Sequence, residues 1–441
     1  MPLTFLPTTN AGAAILRARH DCEHDMTILT NQWTNNTTTT GRARSRGGLQ
    51  HRYGHDGHDF DHELRASEAA QTLRVASPDQ PLLLESGVVL EEVDVAFETI
   101  GRLNAKADNA VQVCHSMTAD AHAARRGRAD RPGWWEGMIG TGLPIDPARH
   151  FVISANVLGG CFGTTGPTSI EPNTGEPWGP RFPVVTVGDM VRVQRRLLDA
   201  LGIERPISVV GGGLGALLAL EWAIREPDRV GKALVLGAAA RRNAQALALG
   251  SLARRAVRAD GNFRSGWYSP DRRPVDGLSI ARGLLHSSER SAPLLERRFG
   301  RSRRDETRSR FTLEHDHSVE WYLDSTGSRF AERFDANALL RLSKAADLYD
   351  ASAGRGRLVE ALRRIRAKTV FVGFSSDGVH LPGQTLELHH AALEAGVDSR
   401  AHLLETDEGH GAFLTPNAEL RRIVLEFLDQ TEEKREAVKR A

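Results

Sequence analysis

Cysteine is scarce in this 441-residue chain: Cys22, Cys114 and Cys161 are too few for a disulfide framework, which suits a reducing compartment. Neither sign of charge prevails. With 57 basic against 56 acidic residues there is no global electrostatic reason to expect nucleic acid or an anionic membrane as partner. No run approaches the roughly 18–20 apolar residues that span a bilayer. Internal repeats are missing too. These absences lead to the expectation of a soluble, cytoplasmic protein, long enough to bury a large core.

The first 75 residues also have few apolar side chains. Residues 31–40 are polar, 41–46 carry alternating arginines, and His51, His55, His58 and His62 are interleaved with Asp56, Asp59 and Asp61. So little apolar surface cannot offset ordering entropy, and the segment is expected to be largely disordered. Its histidines and aspartates are metal-ligand types without a tight spacing, so no metal is expected. Arg17 and Arg19 resemble the start of a transit peptide, but Asp21, Glu23 and Asp25 follow at once. At the other end, 431–441 reads as a charged, fraying tail.

From Leu82 onward, strand-like and helix-like patterns alternate. Residues 88–95, 111–115, 151–156, 207–210, 233–236, 369–374 and 401–404 read as strands, and a helix opens at Thr186 with apolar positions at helical spacing. Such alternation predicts a mostly parallel sheet with helices on both faces. Residues 76–240 and 346–430 would build it. Between them, 241–345 is helical and arginine-rich, as expected of a lid inserted over the sheet. Most of its arginines are expected to solvate exposed helix faces.

One stretch points to chemistry. Residues 207–224 run from a β-branched strand through Gly211, Gly212, Gly213 and Gly215 into an apolar helix. That is the strand–turn–helix of the G-x-S-x-G nucleophile elbow, with Gly213 where the serine belongs. On this fold an acid and then a histidine follow in chain order. Asp377 lies just past the 369–374 strand and His410 past the 401–404 strand. An acid accepting from one ring nitrogen would leave the other free as a base. Ligands of such sheets bind at the carboxyl ends of the strands, where all three positions fall.

Longer stretches carry a more specific likeness. These are 95–104 (Val-Ala-Phe-Glu-Thr-Ile-Gly-Arg-Leu-Asn), 114–123 (Cys-His-Ser-Met-Thr-Ala-Asp-Ala-His-Ala) and 132–140 (Pro-Gly-Trp-Trp-Glu-Gly-Met-Ile-Gly). With them go 156–167 (Asn-Val-Leu-Gly-Gly-Cys-Phe-Gly-Thr-Thr-Gly-Pro), 220–223, 297–300 and 333–337. With these, the chain from about 83 to 430 resembles the homoserine O-acetyltransferases, acyltransferases of α/β-hydrolase fold in methionine biosynthesis. The resemblance implies ping-pong transfer of acetyl from acetyl-CoA, a co-substrate, to the homoserine hydroxyl, with no bound cofactor. It implies Asp377 as acid, His410 as base, and the backbone N–H groups of Met117 and Leu214 as oxyanion hole. Arg254 would meet the homoserine carboxylate, Tyr268 would line the substrate site, and a homodimer is the implied assembly.

The departures from the family pattern cluster at the chemistry. Gly213 replaces the serine, Gly411 replaces an acid expected after the histidine, and Ala119 and Ala216 replace glycines. Without the serine the covalent route through residue 213 is closed, and a catalytically silent binding or regulatory subunit becomes the alternative. Cys114, Ser116 and Ser208 are the nearest substitutes by sequence. None is evidently aimed at the site, so no replacement nucleophile is expected.

Overall fold

The computed structural model describes residues 70–127, 130–307, 309–313 and 316–429. The polar run, the His/Asp cluster and the charged tail therefore lie outside the described residues.

Ten strands form in chain order: β1 (Gln71–Ala76), β2 (Leu82–Leu83), β3 (Val89–Leu90), β4 (Val93–Ile100), β5 (Ala110–Cys114), β6 (Phe151–Ala155), β7 (Ile207–Gly212), β8 (Val230–Leu236), β9 (Lys368–Phe374) and β10 (Ser399–Leu404). Eight of them make one sheet in the order β1-β4-β6-β5-β7-β8-β9-β10, while β2 and β3 pair separately. The two pairings of β4 are antiparallel and those from β6 across to β10 are parallel. This is the expected mostly parallel sheet, with two strand assignments corrected. Residues 88–95 are not one strand: they divide between β3 and β4, and β4 runs on to Ile100. Gln71–Ala76, expected within the disordered segment, is an edge strand on β4. Leu73 and Val75 pack against the core at alternate positions, and Arg74 pairs with Glu92 and Asp94 at 2.7 Å each. Six residues in that pattern hold an edge when a partner strand is present, although they carry too little apolar surface to be conspicuous in a polar segment.

Period-two alternation divides the strands between two cores. In β7, Val209 joins one apolar cluster and its neighbour Val210 the other, and both are fully buried. The first cluster contains α1 (Val187–Ala200) and α2 (Leu214–Arg225). The second contains Trp134, Trp135 and α10 (Ala418–Asp429). Burying a valine side chain stabilises by roughly 1.5–3 kcal/mol, so a one-residue slip of β7 would be very costly. Helix α1 starts where Thr186 predicts. The Asp189 N–H donates to the Thr186 hydroxyl and the Thr186 N–H to the Asp189 carboxylate, each at 3.0 Å, closing a capping box.

Between β8 and β9 the chain forms α3 (Ala244–Ala259), α4 (Val275–Glu289), α5 (Ala292–Arg298), α6 (Ser318–Arg333), α7 (Ala336–Leu348) and α8 (Leu358–Leu362). Helix α9 (Pro382–Glu394) then links β9 to β10. Among the described residues no helix is long and apolar enough to cross a membrane, and no cluster of ligand side chains is placed to hold a metal ion.

Candidate active site

Three loops at the carboxyl ends of the parallel strands β7, β9 and β10 meet here. The first is the elbow between β7 and α2. Gly213 has φ +61° and ψ −122°, a backbone state that side chains disfavour. Its neighbours are glycines for a different reason. A Cβ on Gly211 would come within 2.0 Å of the Gly215 carbonyl oxygen, and one on Gly215 within 2.0 Å of the Cys114 carbonyl oxygen. Helix and strand touch backbone to backbone there. Gly213 is not crowded in this way: the nearest atom to its absent Cβ is His410 Nε2 at 3.2 Å, followed by Phe413 Cζ and Ser116 Cβ at 3.7 Å. A side chain here would press on the end of the His410 ring rather than on backbone.

The second and third loops bring Asp377 and His410. His410 Nδ1 donates to Asp377 Oδ2 at 2.7 Å, and both residues are buried. The carboxylate also accepts from the backbone N–H groups of Val379 and His380 at 2.8 and 2.9 Å, which fix its direction. Burial pushes the His410 imidazole down, but the charge and hydrogen bond of Asp377 outweigh it, and the ring ends above its ordinary value. For Asp377 burial works upward, and His410 overrides it to hold the carboxyl below the usual range. With Nδ1 committed, Nε2 is the nitrogen that faces residue 213.

The chain after β5 supplies the opposite wall. The Ser116 carbonyl accepts from His115 Nδ1 at 2.8 Å and from the Ala119 N–H at 3.2 Å. In a trans peptide the following N–H points the other way, so the Met117 N–H is directed away from those bonds. Among the described residues neither the Met117 nor the Leu214 N–H donates to any group. Both residues line the same cavity as Gly213 and His410. Two bracing contacts come from the Trp-Trp pair: Trp134 Nε1 donates to the Asp120 carbonyl at 2.8 Å and Trp135 Nε1 to the Phe413 carbonyl at 2.9 Å. The loop after β5 and the turn carrying His410 are thus tied to one segment.

The α/β hydrolase fold family profile matches residues 109–416. A homoserine O-acetyltransferase of Solidesulfovibrio magneticus is 43% identical over 362 residues, covering 81% of this chain and 91% of that one. One from Caulobacter vibrioides is 40% identical over 361 residues, 81% and 94% of the two chains. The chain belongs to the homoserine O-acetyltransferase family. Among solved structures, the homoserine O-acetyltransferase of Bacillus anthracis superimposes with a TM-score of 0.75 at 25% identity, over 82% of this chain and 98% of that one. Esterase E22 superimposes with a TM-score of 0.74 at 28% identity, over 82% and 100%.

Two of the residues that likeness to the homoserine O-acetyltransferases suggested for substrate are not brought to the cavity. Arg254 gives its Nη1 to Asp347 at 2.6 Å and to the Ser343 hydroxyl at 2.7 Å. The Tyr268 hydroxyl donates to Asp335 at 2.6 Å and accepts from the Asn337 N–H at 3.0 Å. Neither lines the cavity, because their polar ends are taken up in packing among the helices between β8 and β9. Arginines do reach it, from other positions: Arg242 before α3, Arg282 in α4 and Arg290 after it. Arg242 is paired with Asp347 at 2.8 Å and Arg282 with Glu289 at 3.0 Å. Arg290 forms no ion pair among the described residues, and its Nη1 lies 3.0 Å from where a Gly411 Cβ would stand. A cation thus borders Gly411, next to the base.

His380 was missed by sequence reasoning. Its Nδ1 donates to the Gly237 carbonyl at 2.7 Å, its ring stands edge-on to His410 with centroids 5.1 Å apart, and its buried Nε2 has no partner among the described residues. Burial, reinforced by His410, lowers its pKa to about 4, so it is a neutral acceptor beside the base. A lone histidine after a strand carries no sequence signal of that kind.

Proposed function

We propose that the protein transfers an acetyl group from acetyl-CoA to the hydroxyl of homoserine, without a covalent intermediate on residue 213. The observation that carries this reading is the Asp377–His410 pair, whose Nε2 faces the elbow beside two undonating backbone N–H groups. In it, Asp377 fixes the tautomer and steadies the imidazolium, and His410 Nε2 removes the proton from the attacking hydroxyl and returns it to the leaving thiolate. The Met117 and Leu214 N–H groups stabilise the oxyanion of the tetrahedral intermediate. Gly213 offers no oxygen to acylate. Arg290, without a carboxylate partner among the described residues, takes the acceptor's carboxylate in place of Arg254, since a guanidinium fork matches two carboxylate oxygens. The helices between β8 and β9 serve as the lid, and the assembly proposed from the family is a cytoplasmic homodimer that binds only these small molecules.

The test is the initial rate of CoA release from acetyl-CoA, with and without homoserine, using protein whose Gly213 is verified. The expected rate depends on homoserine, is abolished in His410→Ala, and falls well below the ~10 s⁻¹ of a median enzyme. Gly213 also favours a second reading, a catalytically silent family member that acts by binding. CoA release at background in the presence of homoserine would select that reading.

A further inference from the structure

Ser116 stands closer to the chemistry than its place in the sequence suggests. Its Cβ is 3.7 Å from the point where a Gly213 Cβ would be, and His410 Nε2 is 3.2 Å from the same point. The missing side chain therefore leaves one small gap bordered by Ser116, Phe413 and the free nitrogen of His410. The residue is half-buried and lines the cavity. Its hydroxyl makes no hydrogen bond among the described residues, although its carbonyl is held twice, by His115 and Ala119. The backbone is thus fixed while the hydroxyl is unengaged.

The other two substitutes fail on geometry or chemistry. Cys114 is fully buried in β5, its Sγ rests against Gln194 at 3.9 Å, and burial raises its thiol to about 12. It is neither exposed nor ionised. Ser208 lies five residues before the elbow in β7, about 16 Å away along an extended strand.

We propose that Ser116 is the nucleophile of this protein, activated by His410 across the gap left at Gly213; this rests on the acyltransferase reading above. The Ser116 Oγ–H proton passes to His410 Nε2, directly or through one water in the gap, as Oγ bonds to the thioester carbonyl carbon. The C–S bond then breaks and His410 protonates the departing thiolate, leaving an acetyl ester on Ser116 and free CoA. In the second half the acceptor hydroxyl gives its proton to His410 and attacks that ester, and the proton returns to Ser116 Oγ as the C–O bond breaks. The Met117 N–H belongs to the residue after Ser116, as the Leu214 N–H belongs to the residue after Gly213. The new nucleophile is therefore flanked by the same pair of donors.

The experiment is an acid-quenched incubation of the full-length protein with acetyl-CoA, followed by proteolysis and mass mapping, alongside CoA-release rates. The expected result is one acetyl group on the peptide containing Ser116, lost on adding homoserine and absent in Ser116→Ala. CoA release in that variant should fall on the order of 10²-fold or more. Ser116→Ala must keep its melting temperature and its affinity for CoA, which separates lost chemistry from lost folding. Ser116→Cys should restore an adduct, now a thioester cleaved by neutral hydroxylamine. Homoserine-dependent CoA release that is undiminished in Ser116→Ala, or an adduct mapping elsewhere, overturns the role of Ser116 and leaves the acyltransferase reading standing. No adduct and no turnover overturns both. An adduct on Ser116 that homoserine fails to discharge supports Ser116 and overturns homoserine as the acceptor.

Discussion

At Gly213 two opposing effects can be weighed separately. The backbone at φ +61° and ψ −122° penalises any side chain by about 1–3 kcal/mol, and a Cβ would stand 3.2 Å from His410 Nε2, so the ring must give slightly. Gly213→Ser should therefore melt at a lower temperature while releasing CoA on the order of 10³-fold faster or more, since nucleophile loss in serine hydrolases costs about 10⁶. Thermal denaturation and initial rates of the same preparation check both halves. The base has its own signature. His410 works unprotonated, so activity should rise with pH through its raised value. In Asp377→Asn the charge that opposes burial is gone. The acid limb of the pH–rate profile should then move to lower pH even as the plateau drops by on the order of 10²–10⁴. A limb that stays in place would mean that another group sets it.

At the scale of elements, glycine has different meanings in neighbouring positions. Gly215 in α2 touches the carbonyl of Cys114 in β5, so Gly215→Ala must push helix from strand, costing about 3 kcal/mol or more. Among the described residues nothing lies within reach of the absent Cβ of Gly283 in α4, so Gly283→Ala should instead add about 1 kcal/mol. Chemical denaturation of the two variants should show opposite signs. The sequence patterns of the elements were plain where burial on both faces produced continuous apolar runs, as in β5, β7 and β9. They misled where a strand was defined by its partner. β1 lies in a polar stretch, and the 88–95 run divides because only its second part enters the sheet.

Across the whole molecule, the residues legible beforehand were those fixed by chain order: the elbow, Asp377 and His410, each one loop past a strand. What could not be read came from the long connection between β8 and β9. Arg254 and Tyr268 were placed through it by likeness, but helix packing turns them toward Asp347 and Asp335 and presents Arg242 and Arg290 to the cavity. Ser116 was only one of three serines and cysteines near by sequence with no evident aim at the site, and His380 was not singled out, because proximity across a gap has no spacing in the chain. The Gly213 vacancy also bears on heredity. Some glycine codons become serine codons by a change of one base, and here the turn and the waiting imidazole both persist. Where the codon is one of those, a lineage can cross between glycine and serine at this position in either direction without rebuilding the protein around it.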